Sequence, residues 1–135
     1  VIQSRVECDV VKSHRIDRTL RVLVVDDESG MRRTIARVLK ASGYDVETAS
    51  NGEHGISLAK TFQPHFVLID VRMPGIGGVE AYRQLKQIVP ESFTIFMSAF
   101  FTDEVVGEVH AIGPVELLSK PLDIEKLLDL IRSTS

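Results

Sequence analysis

The chain has 135 residues, 44% of them hydrophobic and 26% charged, with a formal net charge of -3; this suits one soluble globular domain with a core of its own. No apolar run approaches the roughly 20 residues a membrane helix needs, and a mildly acidic chain without a basic run is a poor nucleic-acid binder by itself. The single Cys8 excludes an internal disulfide, so nothing points to secretion and a cytoplasmic domain is the expectation.

Residues 1–19 stand apart from the rest of the chain. They hold a short apolar alternation, VECDVV, and then the polar run KSHRIDRT. We read them as an N-terminal extension or linker, and residues 20–135 as the domain. The N-terminus is charged rather than continuously apolar, so no signal peptide is visible. The chain begins without Met, which fits an excised fragment or a processed form.

From Leu20 onward, short β-branched runs recur at RVLVV (21–25), YDVET (44–48), HFVLI (65–69), FTIFM (93–97) and VELL (115–118). Helical stripes lie between them. Met31, Ile35, Val38 and Leu39 share one face, as do Val79, Tyr82, Leu85 and Val89. Val105, Val106, Val109 and Ile112 make a shorter, less regular stripe. The last helix carries Ile124, Leu127, Leu128 and Ile131, with Asp123 as its N-cap. Alternation of this kind predicts an α/β fold: a five-stranded, doubly wound parallel sheet with helices on both faces. The first, third and fourth strands are nearly all apolar, as central strands should be. YDVET alternates and reads as an edge.

In such a sheet, ligands bind beyond the carboxyl ends of the strands. The first strand runs into Asp26-Asp27-Glu28, the third into Asp70, the fourth into Ser98-Ala99 and the fifth into Ser119-Lys120-Pro121. Each residue alone has an ordinary explanation. DDES suits a solvated helix start, Asp70 or Ser98 a turn cap, and Lys120 a surface lysine. Their coincidence at strand ends argues for a site. Carboxylates brought this close repel unless a cation compensates them. Oxygen donors without His or Cys favour a hard ion, Mg²⁺. A carboxylate held against Mg²⁺ is a nucleophile toward phosphorus, giving an aspartyl phosphate. Lys120 would neutralise phosphoryl oxygens and Ser98 would donate to one.

With these residues in order, positions 20–135 resemble a response-regulator receiver domain of two-component signalling. The resemblance implies the flavodoxin-like strand order 2-1-3-4-5 and Asp70 as phosphoacceptor. It assigns Mg²⁺ to Asp26, Asp27, Asp70 and the Arg72 backbone carbonyl. Ser98 matches the family's switch hydroxyl and Lys120 its phosphate-contacting lysine, while Pro74, Gly78 and Pro121 match its loop positions. The Lys-Pro bond is often cis in the family. The implied partners are a sensor histidine kinase or phosphotransfer protein and a downstream output domain or protein, with a homodimer on phosphorylation as a further option. No direct nucleic-acid or membrane partner is implied, nor turnover of a separate substrate. One position departs from the pattern: Leu117 stands where many receivers carry Tyr or Phe, which puts the aromatic part of the switch in doubt. Two residues past the phosphoacceptor and two past the switch hydroxyl stand Arg72 and Phe100, which flank the path of hydrolytic water in the family.

Three rivals stand beside this reading. An aspartate-nucleophile phosphatase typically places D-x-D after the first strand, which VVDDESG does not supply. A flavodoxin-like FMN carrier needs a phosphate loop of hydroxyls and amides there, whereas DDES would repel an anion. A receiver used only as an unphosphorylated binding module is the third. His14, His54, His65 and His110 show no ligand spacing and read as structural or exposed. Phe100 and Phe101 either enter the core or border the site.

Overall fold

A computed structural model of the chain describes residues 19–134. The expectations for residues 1–18, Cys8 and His14 among them, lie outside the described residues. Five strands alternate with five helices: β1 (Arg21–Val25), α1 (Ser29–Ala41), β2 (Asp45–Ala49), α2 (Gly52–Phe62), β3 (Phe66–Asp70), α3 (Gly77–Ile88), β4 (Phe93–Ser98), α4 (Asp103–Ile112), β5 (Val115–Ser119) and α5 (Ile124–Thr134). All neighbours pair in parallel, in the order β2-β1-β3-β4-β5. This is the doubly wound fold that the alternation predicts, in the strand order that the resemblance implies.

The alternation of side chains along each strand divides the core into two layers. Val22 and Val24 of β1 join Leu68, Ile95 and Met97 under α1 and α5, where Ile35, Leu39, Leu127 and Ile131 close the layer. Leu23 and Val25 turn the other way, with Val67, Ile69 and Phe96, toward Ile56 of α2, Tyr82 and Leu85 of α3 and Val109 of α4. Every residue of β3 is buried, which is why HFVLI reads as a continuous apolar run rather than an alternation. Tyr82 meets Phe96 edge to face at 5.4 Å between centroids, and its buried hydroxyl donates to the Pro114 carbonyl at 3.0 Å, tying α3 to the entrance of β5.

Three strands, β3, β4 and β5, continue one residue beyond their apolar runs. Asp70 still pairs with Met97, and Ser98 with Ser119. The polar group at each strand end is therefore held by the ladder rather than by a loop. Asp123 caps α5 as expected, accepting from Lys126 N–H at 3.2 Å.

Helix α2 has no counterpart among the helical stripes of the sequence. Its buried face is Gly52, Gly55, Ile56 and Ala59, too small to register as an apolar stripe. The glycines let the helix lie close: a methyl on Gly55 would come within 2.9 Å of Val25 Cγ2. Its start is marked by Asn51, whose side chain accepts from His54 N–H at 2.8 Å.

The closest approach is at Gly78. A methyl there would overlap the Asp70 carbonyl oxygen and stand 2.8 Å from Val71 Cα, backbone atoms that cannot move aside without shifting the end of β3. Gly78→Ala is expected to lower stability in urea by about 1–3 kcal/mol, the usual cost of overpacking. Gly30→Ala, with nothing within 4 Å of the added methyl, is expected to be neutral or mildly stabilising. Equal midpoints for the two variants would contradict this account of Gly78.

Candidate functional site

Asp26 follows β1 directly, its N–H donating to the Ala49 carbonyl at 3.1 Å as if the strand continued. Its side chain is fully buried. Oδ1 accepts from Glu28 N–H at 3.0 Å, a local turn that launches α1 without a side-chain cap from Glu28 itself. Asp70 repeats the arrangement at the end of β3: it is buried, and its Oδ1 accepts from Arg72 N–H at 3.1 Å. In both residues one oxygen is thus engaged by the chain's own turn, leaving Oδ2 free to face the cleft.

Lys120 meets both of those oxygens. Its Nζ lies 2.7 Å from Asp70 Oδ2 and 3.3 Å from Asp26 Oδ2. Its own N–H donates to the Ser98 carbonyl at 2.8 Å, extending the β4–β5 ladder by one bond. The peptide between Lys120 and Pro121 is cis. Asp27 is exposed, and one oxygen from each of Asp26, Asp27 and Asp70 lies within 4.8 Å of the others.

The charge balance is visible in the titration of these groups. Burial pushes the Asp26 carboxyl above its ordinary 3.8, outweighing the Glu28 N–H and the Lys120 cation that pull it down. Burial also pulls on Lys120 in the direction of deprotonation, but the hydrogen bond to Asp70 and the charges of Asp26 and Asp70 prevail. The ammonium is held above its ordinary 10.5. Three carboxylates face one ammonium, so the site is short of positive charge. The donors are all carboxylate oxygen, the set that suits a hard divalent ion such as Mg²⁺.

Beside these carboxylates a cleft of about 290 Å³ is lined by Asp70, Arg72, Ser98, Ala99, Phe100 and Lys120. Ser98 is buried, and its hydroxyl is turned to its own loop. It donates to the Phe100 carbonyl at 2.9 Å and accepts from Phe100 N–H at 3.2 Å. Phe100 does not enter the core: it is 70% exposed. Phe101 takes the inward place instead, packing with Leu117 against the α2–α4 layer. Arg72 is exposed at the rim. The described histidines lie elsewhere. His65 Nδ1 accepts from Arg21 N–H at 2.9 Å at the amino end of the sheet, and His54 and His110 are exposed on helices.

Two contacts had no signal in the sequence. One is the double engagement of Lys120. The other is Arg32, whose Nη1 donates to the Asp26 carbonyl at 2.7 Å from one turn into α1; only its position six residues after Asp26 could have hinted at it.

Residues 22–132 match the family model of the response regulator receiver domain. The chain belongs to that family. Sporulation initiation phosphotransferase F of Bacillus subtilis (strain 168) is 29% identical to this receiver domain over 112 residues, 83% of this chain and 90% of that protein. The response regulator MprA of Mycolicibacterium vanbaalenii is 34% identical over 116 residues, covering 84% of this chain but 49% of the relative, so the receiver spans about half of that protein. The Vibrio cholerae chemotaxis protein CheY4 superposes with a TM-score of 0.81 at 26% identity, over 86% of this chain and 98% of its own. Acidic pockets that bind Mg²⁺ are a property of receiver domains, and among the described residues no helix is long and apolar enough to cross a membrane.

Because the folded state raises the Asp26 pKa, this carboxyl favours folding below 3.8 and costs stability as pH rises through its folded value. At pH 7, without divalent ions, Asp26→Asn is therefore expected to stabilise the receiver. The gain should shrink as pH falls toward 3.8. An Mg²⁺ ion held by this carboxylate cluster would raise the melting temperature of the wild type, and the same variant should lose that rise. A destabilised Asp26→Asn with an intact Mg²⁺ response would overturn the assignment.

Proposed function

We propose that this receiver is a phosphoacceptor switch in which Asp70 takes a phosphoryl group from a partner histidine kinase or phosphotransfer protein, with Mg²⁺ as cofactor. The observation that carries the reading is the meeting of Asp70 with Lys120 at 2.7 Å, beside carboxylates of Asp26 and Asp27 that reach within 4.8 Å of it. A nucleophile, a cation for the incoming oxygens and a hard-ion donor set stand together at one sheet edge. Family membership favours this over the phosphatase and flavin-carrier readings.

An Asp70 carboxylate oxygen attacks phosphorus, the bond from phosphorus to the donor's imidazole nitrogen breaks, and that nitrogen keeps the electron pair. Lys120 exchanges its bond to Asp70 Oδ2 for one to a phosphoryl oxygen, so the cation follows the charge outward. Mg²⁺, held by Asp26, Asp27, Asp70 and the Arg72 carbonyl, would supply further neutralisation of phosphoryl charge. Ser98 has only to leave the Phe100 carbonyl and donate to the phosphoryl group. That exchange pulls on the β4–α4 loop and couples occupancy of the site to a surface an output domain or protein reads. Leu117 provides no ring to gate the movement, so the hydroxyl and its loop carry it.

Two tests address different parts of this reading. Incubated with acetyl phosphate and Mg²⁺, the wild type should acquire a base-labile acyl phosphate visible as a mass shift, and Asp70→Asn should not. Undiminished labelling of Asp70→Asn would place the phosphoryl group elsewhere, and an unlabelled wild type would favour the unphosphorylated binding module.

The second test concerns lifetime. Hydrolysis needs water in line with the Asp70–phosphorus bond, and Arg72 and Phe100 both line the cleft. Neither side chain can act as a general base at neutral pH, so the phosphorylated form should be long-lived. Arg72→Asn with Phe100→Glu is expected to speed its decay about tenfold or more. An unchanged or slower decay would show that these side chains do not restrict water.

A further inference from the structure

We propose that the exposed face of α1 bearing Arg32, Arg33, Arg37 and Lys40 docks an acidic segment of a partner protein. These four side chains, with Ala36 and Thr48, line an open groove of about 380 Å³ between α1 and β2. Arg33, Arg37 and Lys40 are exposed. Among the described residues none of the three has an ion-pair partner. In a chain of net charge -3, this is a concentration of uncompensated positive charge.

The arrangement does little for the helix that carries it. Helix α1 has no acidic residue in its first turn, where carboxylates would favour the helix dipole. Arg33 and Arg37 stand at i and i+4, a spacing at which like charges repel. Lys40 alone is well placed, in the last turn. An arriving anion would relieve that repulsion, so the face is better matched to a bound state than to solvent. An arginine fork can donate two parallel hydrogen bonds to one carboxylate.

The extent of the patch decides between an acidic polypeptide and a nucleic acid. From Arg32 to Lys40 the helix advances about 12 Å. Beyond its amino end lie Asp27 and Glu28, both exposed. A phosphate backbone continuing past the groove would run onto these carboxylates. A polypeptide presenting two or three carboxylates within that span would not. Arg32 also donates to the Asp26 carbonyl at 2.7 Å, so a docked segment would sit directly behind the acidic cluster. The docking charge is independent of whether Asp70 is phosphorylated.

The test uses the full chain, ¹⁵N-labelled, at low salt. The ligands are a short Glu-rich peptide, its Gln counterpart and a short oligothymidylate. The Glu peptide should shift the amides of Arg33, Arg37, Lys40 and Thr48, and the Gln peptide should not. Arg33→Glu with Arg37→Glu should weaken binding roughly tenfold or more, while Lys60→Glu on the opposite layer should leave it within about twofold. Arg37→Gln with Lys40→Gln gives a milder pair should the double reversal fail to fold. Equal binding by the α1 variants, an equal loss in Lys60→Glu, or no shift with the Glu peptide would overturn the proposal. Tighter binding of oligothymidylate than of the Glu peptide would replace the acidic segment with a nucleic acid.

Discussion

Two carboxylates are buried at the end of an apolar sheet, and the ammonium of Lys120 stands between them. Burying a carboxylate without a partner costs several kcal/mol, so the carboxyl end of this sheet depends on that cation reaching both oxygens. Lys120 begins two strands away from Asp70 and three away from Asp26. It reaches them only because the β4–β5 ladder sets Ser98 opposite Ser119 and then binds the Lys120 N–H to the Ser98 carbonyl. A register slip of one residue would turn the side chain to the other face. The apolar packing of β4 and β5 is therefore also what positions the charge at the site.

The same economy appears in the carboxylates. Asp26 and Asp70 each use one oxygen to build the turn that follows their strand and present the other to the cleft. Turn and site cannot be separated: the residues that start α1 and the β3–α3 loop are the ones that bear the charge. The site consequently retains more negative charge than Lys120 alone balances.

Much of this was legible in the sequence because burial is written in periodicity. The all-apolar β3, the stripe of α1 and α5, and the polar residues that end β1, β3, β4 and β5 identify the sheet and the edge where side chains converge. Helix α2 was not legible, since Gly52, Gly55 and Ala59 bury by being small and close approach leaves no apolar stripe. Nor were the loops. Phe100 points to solvent and Phe101 inward because the chain beyond β4 turns on the paired bonds between Ser98 and Phe100. Such local geometry has no period to detect. Leu117 departs from the family pattern by its identity alone, and it packs as an ordinary half-buried aliphatic group.

Helix α4 differs from its neighbours in how little holds it. Val109 is its one buried residue, whereas α3 buries Gly78, Ala81, Tyr82 and Leu85. A single buried valine is worth about 1.5–3 kcal/mol, and the charge-assisted bonds a phosphoryl group makes are of comparable strength. Beyond Val109, helix α4 packs only through half-buried side chains, Val105 and Ile112 among them, beside a neighbour that buries residues along its length. Its N-terminus is tethered to β4 through the Ser98–Phe100 loop, and its far end lies beside the Tyr82–Pro114 bond. Under the proposed switch, a pull at the first end would act against that anchor at the second, and a displacement of the Ser98 hydroxyl would swing the whole helix.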